Sequence, residues 1–166
     1  MKVLFLDIDG VLNSSRTVLA HGAYPHTLRD GDWEKFDWTG ILMIQRLCAV
    51  ADLSVVLSSA WRLDHDFRQV GRVFNLPIID RTPSFPGTRG MEIKYWLDQH
   101  PEVEAFAIVD DDADMLPEQL PHFVQTDGHE GVTFKNYQQL CERFGVNPWD
   151  RPPRERNEIL NASAPA

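Results

Sequence analysis

The sequence predicts an α/β fold in which a doubly wound parallel sheet lies between two layers of helices. Short apolar runs recur along the chain, and segments with a helical period of apolar residues lie between them. Most of these runs lack the alternation of half-solvated strands, which indicates a sheet covered on both faces. Ligands of such sheets bind beyond the carboxyl ends of the strands, so we expect functional residues directly after the apolar runs.

Five apolar runs are the predicted strands, and they span residues 3–6, 55–57, 77–79, 106–109 and 122–124. No run approaches the ~20 apolar residues of a membrane-spanning helix. Asp7 also follows Met1 too closely for the apolar region of a signal peptide. We therefore expect a cytoplasmic protein without a membrane partner.

Three helices are predicted from their caps and apolar faces. Thr39 is expected to cap a helix that carries apolar residues from Ile41 to Ala51, and Gly90 leads into a second helix. Thr133 caps a third, which ends before Gly145, the residue type preferred just after a helix.

The 166 residues suit a single domain, which we place at 1–146. Residues 13–38 show no clear helix and predict a flap or minimal cap over the site. No segment is long enough to be a large cap domain. Residues 147–166 predict a flexible tail, because they are rich in proline, charge and small residues.

Composition limits the partners. Acidic residues exceed basic ones by 25 − 16 = 9, which disfavours binding to extended duplex nucleic acid. A local group of arginines can still collect one anionic substrate end. The two cysteines lack the spacing of a disulfide framework or zinc site, so we expect them in the core. The six histidines also lack metal-ligand spacing, and we expect them at the surface. The sequence does not indicate an oligomeric state.

Asp7 and Asp9 follow the first predicted strand directly, and Gly10 permits a sharp turn after them. Two carboxylates ~4 Å apart repel by about 4 kcal/mol at an effective dielectric constant of ~20, so such a pair usually shares a proton or a cation. Asp110, Asp111 and Asp112 follow the fourth strand, with Asp114 nearby. Carboxylates that converge at one sheet edge without histidine or cysteine predict an all-oxygen Mg²⁺ site.

Candidate phosphate ligands follow the second strand and open the helix before the acidic strand. Ser58 and Ser59 end the second strand, where a hydroxyl can donate to a transferring phosphoryl group. Arg89 and Lys94 compete as the fixed cation, and we favour Arg89 because it opens its helix. Arg62 could reach a substrate phosphate or form a surface salt bridge.

In this order, Asp7-x-Asp9-Gly10, the strand that ends in Ser58, a basic residue and the strand that ends in Asp110-Asp111 resemble the four motifs of the haloacid dehalogenase-like (HAD) phosphohydrolase superfamily. The resemblance runs from Met1 to about Gly145, with Arg89 in place of the more usual lysine. Segments 58–62 and 89–93 are similar to small bacterial members, some of which occur as domains of RNA-repair proteins.

This resemblance implies a Rossmann-like core, a mechanism and a ligand set. Asp7 would attack phosphorus, and Asp9 would protonate the leaving oxygen and later activate water. Asp7, the backbone carbonyl of Asp9 and Asp111 would hold Mg²⁺, with Asp110 acting through water. Ser58 and Arg89 would bind the phosphoryl group.

We expect a Mg²⁺-dependent phosphomonoester phosphatase that acts on a nucleotide or another small phosphorylated metabolite, and a nucleic-acid end is the alternative substrate. The acidic charge favours a nucleotide or another small phosphorylated metabolite, whereas an open site favours the 3′ or 5′ end of a nucleic acid. A receiver-like signalling domain that accepts phosphate on aspartate is the non-enzyme alternative. That class requires an acceptor aspartate after a middle strand, where this chain has Ser58 and Ser59.

Overall fold

The computed structural model describes residues 1–29 and 31–153, and these contain a five-stranded parallel sheet with the order β3-β2-β1-β4-β5. The strands are β1 (Lys2–Leu6), β2 (Leu53–Leu57), β3 (Ile78–Arg81), β4 (Ala105–Asp110) and β5 (Phe123–Gln125). In the sheet, β2 and β3 lie on one side of β1, and β4 and β5 lie on the other side. The predicted parallel sheet is confirmed, and its order reverses at β1, where ligand sites of such sheets form.

The strand register brings three strand ends to the same level. Leu6 pairs with Leu57 of β2 and with Val109 of β4. The residues that follow these three, Asp7, Ser58 and Asp110, therefore begin at one point on the carboxyl edge of the sheet.

Helices cover both faces of the sheet, which confirms the predicted three layers. On one face, Leu4 and Leu6 share a core with α2 (Trp38–Ala51), α3 (Phe67–Phe74) and α5 (Phe134–Phe144). On the other face, α4 (Arg89–Asp98) packs on Val3 and Phe5. The Trp96 ring meets Phe5 edge-on at 5.4 Å between ring centres. Cys48 and Cys141 are buried, as predicted.

The helix caps agree with the sequence except at α2. Asp37, not Thr39, caps this helix, because its carboxylate accepts the amides of Thr39 and Gly40 at 3.1 and 3.2 Å. α5 is capped by Thr133 and ends at Gly145, as predicted. α4 begins at Arg89, which opens the helix as predicted.

The segment 13–38 contains α1 (Ser15–His21), so the prediction that it holds no helix is wrong. Ser14 caps α1 through a reciprocal capping box with Thr17. Backbone hydrogen bonds to the carbonyls of Gly128 and His129 tie the start of α1 to the loop after β5. Few apolar residues face the core, so α1 leaves little periodic signal. It adds no large cap domain.

Residues from Asn147 to Pro153 continue past α5. Tyr137 of α5 donates its hydroxyl to the carbonyl of Pro148 at 3.2 Å, and the amide of Asn147 bonds the Asp150 carboxylate at 3.1 Å. The tail predicted for 147–166 otherwise lies outside the described residues from 154 onward. Within the described ranges, no helix combines the length and apolarity needed to cross a membrane.

Candidate active site

Asp7 lies buried at the centre of the carboxyl edge of the sheet. Its amide donates to the carbonyl of Val109 at 3.1 Å, which extends the pairing of β1 with β4 by one residue. Burial raises the pKa of the Asp7 carboxyl, and the Arg89 guanidinium and the Ser59 hydroxyl oppose this rise. The loop thus presents a carboxylate in a site of low dielectric, beside groups that favour its charged form.

Asp110 ends β4 and is fully buried. Its Oδ1 accepts the amide of Asp112 at 3.0 Å, whereas its Oδ2 has no hydrogen-bond partner in the part of the chain that the structure describes. The nearest cation is Arg89, whose Nε lies 3.8 Å away. Burial and then the nearby Asp7 carboxylate raise the pKa of Asp110. A buried, unpartnered carboxylate oxygen requires a proton or a cation.

Three carboxylates could supply a cation site. Asp7, Asp110 and Asp111 each offer one oxygen, and these atoms lie within 4.8 Å of one another. The set contains only oxygen donors, which suits a hard cation such as Mg²⁺. Together with the unpartnered Oδ2 of Asp110, this donor set fits a bound divalent ion.

Two glycines leave room for the carboxyl group of Asp111. A Cβ at Gly10 would lie 2.2 Å from Asp111 Cγ, and a Cβ at Gly128 would lie 2.7 Å from its Oδ2. Gly10 also has a left-handed backbone, with φ of 72°. The carboxyl group of Asp111 therefore lies between the loop after β1 and the loop after β5, and each loop requires glycine where it approaches this group.

Ser58 and Ser59 follow β2 beside Asp7. The hydroxyl of Ser58 is buried without a hydrogen-bond partner among the described residues, so it is available to a ligand. Ser59 is engaged, since its side chain bonds Asp7 and accepts the amide of Trp61 at 3.4 Å. Of the two hydroxyls, Ser58 therefore suits a bound phosphoryl group better.

Arg89 and Lys94 lie at different distances from the carboxylates of the site. Arg89 opens α4, its guanidinium donates to the carbonyl of Ser58, and its side chain is largely buried beside Asp110. Lys94 lies one turn further along, half-exposed, and its ammonium pairs with Asp98 at 2.9 Å. Arg89 lies with the carboxylates and Ser58, whereas the contacts of Lys94 are within its own helix.

Asp9 is exposed, and two side chains hold its carboxylate. Asn13 Nδ2 donates to Oδ1 at 2.8 Å, and Trp61 Nε1 donates to Oδ1 and Oδ2 at 3.0 Å each. Asn13 and Trp61 are themselves buried. The orientation of Asp9 is therefore set by groups that the packing fixes.

Comparison with known families matches residues 3–137 to the model of the HAD domain in Swiss Army Knife RNA repair proteins. The chain belongs to this family. The HAD-like resemblance of its motifs is thereby confirmed, and membership supports a phosphohydrolase. The same comparisons match no curated protein and no solved structure.

Arg62 of this HAD domain lies in the interior, so the alternative of a surface salt bridge is wrong. Its guanidinium pairs with the buried Glu92 at 2.6 Å. It also donates to the backbone carbonyls of Ser59, Thr82 and Pro83 at 2.5, 3.1 and 3.2 Å. These bonds fasten the loop after β2 to the end of β3 and to the first turns of α4. The contacts favour a structural role for Arg62 over direct phosphate binding.

A cleft of about 520 Å³ opens beside Asp9 and Asp111. Trp61 and His65 line it with stacked rings, 4.8 Å apart between centres. His65, His100 and His122 are half-buried and His21, His26 and His129 are exposed, so no histidine lies in the core. Tyr24, Pro25 and His26 of the segment 13–38 also line the cleft.

Sequence reasoning did not assign a role to Asn13, Trp61 or Gly128. Trp61 lies within the segment 58–62, which is similar to small bacterial HAD members. A hydrogen bond from its indole to a carboxylate of another loop leaves no periodic or spacing signal in the sequence. Gly128 lies in the loop after β5, and a glycine just beyond a predicted strand is the sequence feature that could have indicated its role.

Proposed function

We propose that this HAD domain is a Mg²⁺-dependent phosphomonoester phosphatase that transfers the phosphoryl group to Asp7. One observation carries the proposal: a buried carboxylate nucleophile, an unpartnered serine hydroxyl, a guanidinium and two further carboxylates meet at one sheet edge. These are the parts that phosphoryl transfer requires, namely a nucleophile, donors for the equatorial oxygens and ligands for a divalent ion.

In the first step, a carboxylate oxygen of Asp7 attacks phosphorus and the bond from phosphorus to the leaving oxygen breaks. Asp9 gives its proton to that oxygen, so an alcohol leaves. The hydroxyl of Ser58 and the guanidinium of Arg89 donate to the equatorial oxygens as their charge grows.

In the second step, Asp9 accepts a proton from a water molecule, whose oxygen attacks phosphorus in the aspartyl phosphate. Inorganic phosphate leaves, Asp7 returns as a carboxylate and Asp9 is protonated for the next cycle. Asp7, Asp111 and the backbone carbonyl of Asp9 would hold Mg²⁺, with Asp110 acting through water. When bound, Mg²⁺ neutralises the crowded carboxylates and polarises a phosphoryl oxygen.

As substrate we propose the phosphorylated end of a nucleic acid, because the matched family is described as belonging to RNA repair proteins. This reverses the order that the sequence alone favoured. A nucleotide or other small phosphorylated metabolite is the second candidate, supported by the net charge of −9, which disfavours a long anionic strand.

The test measures phosphate release from 3′- and 5′-phosphorylated oligoribonucleotides, mononucleotides and sugar phosphates, with Mg²⁺ and with EDTA. Asp7→Asn should lower kcat/KM by about 10⁴-fold or more and prevent phosphate from becoming bound to the chain. Asp9→Asn should still form the chain-bound phosphate from an aryl phosphate and then stall. Asp52→Asn is the control, since Asp52 is exposed at the opposite edge of the sheet and asparagine tolerates its φ of 56°. Full activity of Asp7→Asn, or activity unaffected by EDTA, would refute the proposal.

A further inference from the structure

The cleft beside Asp9 is large enough to hold a small-molecule ligand. Its volume of about 520 Å³ lies within the roughly 300–1,000 Å³ of small-molecule sites. We propose that it binds the base of a terminal nucleotide, as the leaving-group subsite of the reaction. This inference rests on the proposed phosphatase function and specifies which part of the substrate the protein recognises.

The position of the cleft follows from the chemistry. Asp9 must approach the leaving oxygen to protonate it, so the leaving group lies on the Asp9 side of phosphorus. Asp9, Gly10 and Asp111 line the cleft, so it is continuous with the catalytic loops. A substrate whose phosphate lies at Asp7 therefore extends its alcohol into this space.

The walls of the cleft are flat rings held in place. Trp61 packs between Phe36, at 5.5 Å, and His65, at 4.8 Å between ring centres. Tyr24 and His26 also line the cleft, and Tyr24 is 45 % exposed. Pre-positioned rings suit a planar base, and stacking on such rings tolerates any base.

The described lining of the cleft offers no cation to a second phosphate. None of its described residues is lysine or arginine, and Asp64 adds a carboxylate that neither the proton on Asp9 nor the Mg²⁺ at Asp111 would neutralise. A further phosphate would be repelled there, whereas a neutral base would not. This favours a terminal nucleoside unit over the polyphosphate chain of a nucleoside triphosphate.

The experiment compares substrates that share one phosphomonoester and differ only in the base. One pair is a phosphorylated oligoribonucleotide and its counterpart with an abasic terminal residue; the other is adenosine 5′-monophosphate and ribose 5-phosphate. Removing the base should lower kcat/KM by roughly 10-fold or more. The loss of kcat/KM in each pair shows whether the protein recognises the base of a strand end, of a mononucleotide, or of both.

His65→Ala should lower kcat/KM roughly 10-fold more for the base-bearing member than for the abasic member. His65→Phe keeps a flat ring and should retain the preference. His100→Ala is the matched control, because His100 also stacks on a tryptophan, Trp96, at 3.6 Å, but at the far end of α4. It should change neither substrate.

Equal kcat/KM for base-bearing and abasic substrates, or equal losses for both in His65→Ala, would overturn the subsite. If no phosphate is released from any substrate, the phosphatase proposal fails separately. In that case a binding experiment tests the subsite. It follows the NMR signal of the Trp61 indole N–H, which is assigned by comparison with Trp61→Phe, as ligand is added. A shift with adenosine 5′-monophosphate but not with ribose 5-phosphate supports the subsite. Absence of a shift, or the same shift with both, overturns it.

Discussion

Trp61 donates its indole N–H to both carboxylate oxygens of Asp9, at 3.0 Å each. The contact joins the loop after β2 to the loop after β1, across 52 residues of sequence. Asn13 adds a second donor at 2.8 Å. An exposed carboxylate would otherwise sample several rotamers, so these donors set its direction toward the cleft.

We expect Trp61→Phe to lower kcat/KM about 10-fold for alkyl phosphates and less than about threefold for an aryl phosphate, because only the poor leaving group needs the proton of Asp9. Steady-state kinetics on the two substrates measure the difference. Trp96→Phe is the control, since it removes an indole hydrogen bond to Asp80 on the opposite face of the sheet. Equal losses for both substrates in Trp61→Phe would assign Trp61 a purely structural role.

Arg89→Ala should lower kcat/KM by at least about 10²-fold, the typical effect of losing a fixed donor to the transferring group. Lys94→Ala should change it only a few-fold, because an exposed pair with Asp98 contributes little. The two variants serve as mutual controls, since they remove one cation each from the same helix. A larger loss in Lys94→Ala than in Arg89→Ala would transfer the phosphoryl-binding role to Lys94.

Gly10→Ala tests the space around Asp111. The added Cβ would displace the Asp111 carboxyl, so we expect the apparent Mg²⁺ affinity in activity titrations to weaken by about 10-fold or more. Gly22→Ala is the matched control, because Gly22 also has a positive φ, 81°, with nothing within 4 Å of an added Cβ. Both variants should lose about 1–2 kcal/mol of unfolding free energy from the left-handed backbone. Unaltered Mg²⁺ affinity in Gly10→Ala would show that Asp111 does not help to bind the metal.

The stability of the metal-free protein should fall as pH rises. Burial raises the pKa of Asp110 to about 8 and also raises that of Asp7, so the folded protein favours the protonated carboxyls more than the unfolded chain does. The unfolding free energy in EDTA should therefore decrease as pH rises from about 4, through about pH 6 for Asp7 and about pH 8 for Asp110, by at most about 1.4 kcal/mol per pH unit for each group within its own range.

Urea titrations at about pH 5 and pH 8 measure this change. Mg²⁺ should oppose it, because a bound cation stabilises the ionised carboxylates. Asp110→Asn should flatten the pH dependence in EDTA. A metal-free protein that gains stability toward pH 8 would contradict the raised pKa values.

The sheet was predictable from sequence, whereas two of the helices were not. The first strand and its neighbours are continuous apolar runs, and burial on both faces demands that pattern. α1 and α3 are only seven and eight residues long, so their stability comes from caps and tertiary contacts. At α2, Asp37 and Thr39 can both cap a helix, and only the backbone course decides between them.

The sequence by itself determined which loops carry the chemistry. Asp7, Ser58 and Asp110 follow apolar strands directly, and parallel strands bring their carboxyl ends to one edge. Only the tertiary structure decided which side chains within those loops meet. The position of Arg89 beside Asp110, the bond from Trp61 to Asp9 and the close approach of Gly128 to Asp111 join segments that are distant in sequence. Such contacts depend on register and packing, and neither local propensity nor periodicity encodes them.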